Sequence, residues 1–593
     1  MKQLMTGNEA IARGAWEAGV KFASAYPGTP STEILENLTT YKDIISEWAP
    51  NEKVAMEAAS GAAIGGVRSM ASMKHVGLNV ASDPLFTMSY IGVNAGFVAI
   101  TADEPGQHSS QNEQDNRWMA KLGMLPMVEP SDSQECKDMM AVAMDLSEKY
   151  DTPVLMRITT RVSHSKSLVE LGNRKEVPLK PYEKNGKKFV CVPANSRIRR
   201  VYVDKRMKEL AEYSETTPLN RVEKNGGEVG VIASGMSYYY AKEVFGDKAS
   251  YLKLGFTNPL PAGKIADFCK SVKKIYVIEE NDPYIEDEVR KLGFSPIGKG
   301  VIPSFGELTP DVLRKAIFGE SLPVMEVGAD RTVIRPPTLC AGCPHRGVFY
   351  EMGRRKNLVI AGDIGCYSLG FAPPYNAMDF NVCMGAAFGS AHGAQKAFDT
   401  DPNNQLRVVG VLGDSTFFHT GLNGLLEVIY NKSKVINLIL DNRITGMTGH
   451  QENPGSGLTA MGEPAVESDI EGVCRAIGVK NLRKINPNNL TEVKEAFDWA
   501  LSLDEPSVII TRWPCVLKKM TAADKAEFGV CFNTKDRVDH ELCIGCKMCL
   551  KSGCPAISVD KKAKKANIDP NQCVGCDVCA QICPKQAIKK VVK

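Results

Sequence analysis

The stretches RVVGVLGDS at 407–415 and INLILDN at 436–442 decide the fold. Each is a short run of apolar residues that closes on an acid or an amide, and the Leu-rich segment between them has helical spacing. A strand, a helix and a second strand of this length form a crossover unit, which places the two strands parallel in one sheet. Asp414 then ends one strand and Asn442 follows the next. Two such oxygen ligands can hold one Mg²⁺, an ion that usually shares its coordination with phosphate groups. The plain alternative is a crossover whose strands end in ordinary turn formers.

The pattern resembles the thiamine diphosphate fingerprint, in which Gly-Asp-Gly and Asn-Asn flank such a unit. Here the ends read Gly413-Asp414-Ser415 and Asp441-Asn442, and both departures keep the residues with ligand chemistry.

Outward from this stretch, 593 residues are too many for one core, and roughly 150 residues per domain predicts three to five domains. A net charge of +3 leaves no electrostatic footprint for nucleic acid. No apolar run reaches the roughly 18 residues of a membrane span. The start, Met1-Lys2-Gln3, runs into a helix signal at Thr6 and Asn8 instead of a signal peptide, so a cytoplasmic protein is the default expectation.

Residues 1–165 alternate helical and strand patterns, as do 228–337 and 338–530, which predicts several doubly wound α/β domains with mainly parallel sheets. In the first block, Tyr26-Pro27-Gly28-Thr29-Pro30-Ser31 is a stiff turn after a strand, where open sheets present ligands; Ser31 could equally be capping a helix. Asn51-Glu52 opens a helix of small residues, and an acid there is usually a dipole complement. The charged stretch 166–227 reads as a linker or excursion. Arg161 and His164 have no assignment. In the second block, Glu279 and Glu280 at a strand end are the only candidates.

The cysteines argue for metal chemistry, because thiols in a reducing compartment seldom form disulfide scaffolds. Eight of the eighteen fall in the last 51 residues. Cys573, Cys576, Cys579 and Cys583-Pro584 spell the ferredoxin run C-x2-C-x2-C-x3-C-P, whose fourth cysteine ligates the other cluster. One [4Fe-4S] cluster therefore takes Cys543, Cys546, Cys549 and Cys583, and the other takes Cys573, Cys576, Cys579 and Cys554. The first run has four residues before Cys554 instead of three. Zinc is the plainer alternative, though two triplets plus two Cys-Pro pairs exceed what it needs. Residues 535–593 thus form a small ferredoxin-like domain.

A thiamine site and a low-potential carrier in one chain imply oxidation of a 2-oxo acid, with electrons leaving through clusters and an acyl product at the thioester level. The chain resembles the indolepyruvate branch of the 2-oxo acid ferredoxin oxidoreductase family, on YPGTPSTE, NEKVAMEAASGAA, CAGCPHR, GDIGC, GDSTFFH, DNRITGMTG and the double cluster tail. The resemblance implies a pyrimidine-binding domain (1–165), a transketolase-C-like domain (228–337), a diphosphate- and Mg²⁺-binding domain (338–530) and the ferredoxin domain. It implies conversion of an aryl pyruvate and coenzyme A to aryl-acyl-CoA, CO₂ and reduced ferredoxin.

By the same resemblance, Glu52 hydrogen-bonds the aminopyrimidine, with Glu57 as runner-up, and Thr29 touches the substrate carboxylate. Asp414, Asn442 and the Ile444 carbonyl hold Mg²⁺, beside Gly413 and Ser415, and Met447 supports the bent cofactor. Cys340, Cys343, Cys366 and Cys515 stand where relatives bind a third [4Fe-4S] cluster near thiamine; the alternative is buried structural thiols, the only reading for Cys136, Cys191, Cys269, Cys383, Cys474 and Cys531. A small domain of the relatives is missing, which predicts a separate beta subunit in an α2β2 assembly. The rival activities are a non-oxidative thiamine-dependent decarboxylase, an oxidoreductase for another 2-oxo acid, and an electron-carrier subunit without a site of its own.

Overall fold

The computed structural model describes every residue except Val324, Glu326, Ala329, Ile334, Val530, Cys531, Asn533 and Lys593, together with the side chain of Val592. The chain divides into two compact units, Met1–Glu326 and Val327–Lys593.

The first unit is built on a seven-stranded sheet. Its order is Phe256–Asn258, Met127–Val128, Val154–Thr159, Phe97–Asp103, Ser69–Lys74, Phe22–Ala25 and Ile45–Trp48. All neighbours are parallel except the first pair. Strands such as Phe97–Asp103 are buried at every position, as expected where helices cover both faces. Burial of each large aliphatic or aromatic side chain contributes about 1.5–3 kcal/mol. A second sheet runs Lys274–Ile278, Val229–Ser234, Ser250–Leu254 and Asn220–Glu223, the last antiparallel.

Two boundaries differ from the sequence reading. Phe256–Asn258 comes from the block expected to begin a separate domain at 228, yet it forms the edge of the first sheet. The stretch 166–227, expected as a linker or excursion, is built into the first unit: Lys166–Glu170 pairs with Lys2–Thr6, and Pro193–Thr216 is a helix of 24 residues. That helix buries only Val203, Arg206, Leu210 and Ser214. Their spacing follows one helix face, but two of the four are polar, so the apolar periodicity fell below recognition.

The second unit carries a five-stranded, wholly parallel sheet in the order Leu358–Ala361, Arg407–Gly413, Ile436–Asp441, Ser507–Arg512 and Asn481–Ile485. Behind it the tail forms two small antiparallel pairs, Thr534–Val538 with Ile588–Val592 and Ile557–Val559 with Ala566–Ile568. Among the described residues no helix is long and apolar enough to cross a membrane.

Candidate active site

In the second unit, four adjacent strands deliver the predicted residues to one edge of the sheet. Gly413 is in register with Leu440 on the neighbouring parallel strand, so Asp414 and Asn442 emerge side by side at the carboxyl ends, the usual ligand-bearing edge of such sheets. Asp414 is buried and accepts a hydrogen bond from Asn453 Nδ2 at 3.2 Å. Burial and the nearby Asp441 carboxylate hold its pKa well above the ordinary range. A buried carboxylate disfavoured in this way is what a divalent cation relieves, and the oxygen donors fit Mg²⁺. Asn442 is also buried; its Oδ1 accepts from the Ile444 N–H at 3.2 Å, which fixes the turn that carries the Ile444 carbonyl. Ser415 Oγ accepts from Thr445 Oγ1 at 2.9 Å, joining the two loops. Met447 is 50 % exposed on the loop that follows.

Beneath these loops lies an ion network that the sequence did not reveal. Arg443, fully buried with φ of 63°, spans Asp524 and Glu467, and Arg512 reaches Asp441, Glu467 and Glu527. Held this way, Arg443 fixes the turn after Asn442 while Asp441 stays charge-balanced by Arg512.

The candidate third cluster assembles on the same edge. Cys515 N–H donates to the Asn442 carbonyl at 3.0 Å, and Cys343 N–H to the Cys340 carbonyl at 3.2 Å. A Cβ on Gly446 would lie 3.6 Å from Cys366 Sγ, so this thiol faces the loop after Asn442. Burial first, then the neighbouring thiols, push Cys366 up to about 11 and raise Cys343 and Cys515. Metal binding requires the thiolate form, so a cation held here would have to offset that burial. Among the described residues no three His, Cys, Asp or Glu are spaced for a single metal ion.

Two small cavities in the tail are each lined by four cysteines. One is lined by Cys543, Cys546, Cys549 and Cys583, and the other by Cys554, Cys573, Cys576 and Cys579. This is the crosswise grouping expected from the motif. The six remaining cysteines divide: Cys136, Cys269 and Cys474 are buried as expected, but Cys191 and Cys383 are exposed and are not core thiols. Cys531 lies outside the described residues.

In the first unit, Glu52 opens the helix Glu52–Gly65, and Asn51 caps it by accepting from Val54 N–H at 2.9 Å. Glu52 is only 6 % exposed, unlike a surface dipole complement, and Gly77 lies against it: a Cβ there would stand 2.6 Å from Glu52 Oε1. Glu57, by contrast, is exposed and paired with Lys53. The Thr29 turn contains a cis Thr29–Pro30 bond. Ser31 makes no helix cap; its hydroxyl donates to the Gly28 carbonyl at 2.8 Å, closing the turn on itself. Thr29 is half-buried.

Lys74, which sequence reasoning missed, ends the buried strand Ser69–Lys74 beside this turn, with its Cβ 3.0 Å from where a Gly28 Cβ would sit. Its ammonium is 3.3 Å from Glu104, and burial lowers its pKa. Its signal was a strand ending in Lys-His. Glu279 and Glu280 are structural: Glu279 meets Arg117 at 2.7 Å and two backbone N–H groups, and Glu280 accepts from Leu308 N–H. Arg161 is spoken for by Glu307, and His164 is exposed.

Comparison with known proteins matches three family models to the chain. Residues 13–223 match the family model described as pyruvate flavodoxin/ferredoxin oxidoreductase, thiamine diP-bdg. Residues 363–511 match the thiamine pyrophosphate enzyme C-terminal TPP binding domain, and 542–587 a 4Fe-4S dicluster domain. The chain is 43 % identical to the indolepyruvate oxidoreductase subunit IorA of Methanothermobacter thermautotrophicus, over 99 % of this chain and 97 % of that one. It is 39 % identical to the IorA of Archaeoglobus fulgidus, with the same coverage. A solved 2-oxoglutarate:ferredoxin oxidoreductase from Magnetococcus marinus aligns over 53 % of this chain and 64 % of its own, at 20 % identity and a TM-score of 0.45.

Proposed function

We propose, for a chain that belongs to the family of indolepyruvate oxidoreductase subunits IorA, that it oxidatively decarboxylates aryl pyruvates with coenzyme A and passes the electrons to ferredoxin. It is a thiamine- and iron–sulfur-dependent oxidoreductase of 2-oxo acids. Thiamine diphosphate, when bound, supplies the carbanion chemistry that loss of CO₂ from a 2-oxo acid requires.

Each residue has a role in this reading. Asp414, Asn442 and the Ile444 carbonyl hold Mg²⁺ against the diphosphate. Gly413 and Ser415 line the same turn, and Met447 supports the cofactor ring. Glu52, an acid buried at a helix start, exchanges the proton at the aminopyrimidine. Thr29 contacts the substrate carboxylate, and Lys74 beside its turn adds a positive charge for that anion. Cys340, Cys343, Cys366 and Cys515 hold a third [4Fe-4S] cluster, which takes single electrons at the edge that carries Asp414. A separate beta subunit, in an α2β2 assembly, completes the enzyme.

The observation that carries the reading is the convergence of Asp414, Asn442, Cys366 and Cys515 on one sheet edge, in the unit that also holds both tail cavities. Electron acceptors placed there suit oxidation, and a non-oxidative decarboxylase has no use for them. The test is anaerobic dye reduction by the chain with its beta subunit, thiamine diphosphate, Mg²⁺, coenzyme A and either indolepyruvate or pyruvate. Reduction that depends on coenzyme A and is faster with indolepyruvate is expected. Accumulation of indoleacetaldehyde without dye reduction would overturn the proposal.

A further inference from the structure

Arg346 follows directly on Cys340-Ala341-Gly342-Cys343-Pro344-His345 and is 1 % exposed. Its guanidinium donates from Nε to the Cys340 carbonyl at 2.7 Å and from Nη2 to the Leu339 carbonyl. Nη1 donates to Tyr375 Oη at 2.8 Å and to the Ser552 carbonyl at 3.2 Å, and the Tyr375 hydroxyl donates to that same carbonyl. Every one of these acceptors is neutral. Arg117 and Arg443, equally sequestered, each span two carboxylates, as does Arg157 at 5 % exposure; Arg206, also 5 % exposed, resembles Arg346 in donating only to neutral oxygens, but it lines neither cysteine cavity. A charge taken out of water without a counter-charge is strongly unfavourable. Arg346 also lines the cavity formed by Cys554, Cys573, Cys576 and Cys579.

We propose that Arg346 is the internal counter-cation of the iron–sulfur cluster held by Cys554, Cys573, Cys576 and Cys579, and that it ties this cluster to the Cys340–Cys343 turn. The thiolate-ligated cluster is the anion that no hydrogen-bond partner of the guanidinium among the described residues supplies. When one electron from substrate oxidation enters the cluster, no bond is made or broken and one negative charge is added. A buried cation beside it favours that reduced state, because little water screens the pair. Among the described residues the cavity of Cys543, Cys546, Cys549 and Cys583 is lined by no buried cation: its lysines, Lys547, Lys564 and Lys585, are exposed and screened by solvent. The four-residue spacer between Cys549 and Cys554 has a use here, since it carries the Ser552 carbonyl that Arg346 grips.

This inference rests on the dicluster tail and not on the identity of the substrate. The test is an EPR-monitored redox titration of the full chain with its beta subunit, with iron and labile sulfide counted. Signals are assigned with Cys546→Ser and Cys576→Ser, each of which alters one cluster. Arg346→Gln, which keeps donors but removes the charge, is expected to lower the midpoint of the Cys576 cluster, and not that of the Cys546 cluster, by at least tenfold in its one-electron equilibrium, about 59 mV. Arg346→Lys retains most of the wild-type midpoint. Where Arg346→Gln loses that cluster's iron, retention of iron in Arg346→Lys supports a charge requirement, and loss in both shows a hydrogen-bonding clamp and overturns the proposal. Full iron content with no shift, or an equal shift in both clusters, overturns it as well. A wild-type chain that holds both clusters but oxidises no 2-oxo acid leaves this inference standing and sinks the functional one.

Discussion

Asp414 and Asp441 show how the proposed cofactor site would store an electrostatic penalty in single residues. Burial, and for Asp414 the second carboxylate, raise their folded-state pKa values above those of the unfolded chain. The folded state therefore binds protons more tightly than the unfolded one, and the associated stability is fully present below about pH 4, the ordinary carboxyl value. It is lost as pH rises from there toward neutrality. Thermal melts of cofactor-free protein should show this fall, and Mg²⁺ with thiamine diphosphate should reverse it at neutral pH. Asp414→Asn should flatten the pH dependence and weaken Mg²⁺-dependent cofactor binding by about 10- to 100-fold, measured by calorimetry. A variant that melts like wild type across the range and still binds the cofactor would remove Asp414 from the site. Asp414 and Asn442 were legible because their place after two apolar strands is itself a chemical signal. Lys74 and Arg346 were not, because a cation becomes informative only once the fold shows it buried.

At the scale of elements, the turn Cys340–Cys343 and the loop after Cys573 form one joint. Gly342 has φ of +71°, and a Cβ on it would lie 2.0 Å from Val574 Cγ2. Gly342→Ala therefore meets both backbone strain and a clash, together costing about 1–3 kcal/mol or more. Its melting temperature should drop, and iron should be lost from the Cys576 cluster in preference to the Cys546 cluster. Adding Val574→Ala removes the clash but not the strain, so it should restore part of the loss. Indistinguishable melting and iron content in Gly342→Ala would mean that the two loops are not held together. The joint could not be read from the chain, because about 230 residues separate its halves and both are cysteine motifs with uses of their own. The crosswise grouping of the tail cysteines was readable, since the motif's spacing encodes the exchange of the fourth ligand. The helix Pro193–Thr216 was lost among charges because its buried face includes Arg206, which donates to the Ser89 and Met124 carbonyls.

The whole molecule is partitioned by chemistry as well as by packing. Each unit has its own cores: Met5 to Phe256 contribute to the largest in the first, and Leu339 to Ile509 to one in the second. The alternation of helices and strands was legible as parallel α/β structure throughout. The division after residue 326 was not, because Phe256–Asn258 completes a sheet whose other strands lie far earlier in the chain. All twelve cysteines of the three proposed clusters, with Asp414 and Asn442, fall in the second unit. The first holds only Cys136, Cys191 and Cys269. Around the division, Leu322, Met325 and Val333 are more than half exposed, the kind of backbone a protease reaches first. Limited anaerobic proteolysis of the holoprotein should therefore cut between about residues 320 and 336 before elsewhere. The C-terminal fragment should retain all the iron and its brown colour, and the N-terminal fragment should be colourless. Iron that travels with the N-terminal fragment would overturn the assignment of the cluster ligands, and first cuts scattered through both units would mean that neither packs as a unit of its own.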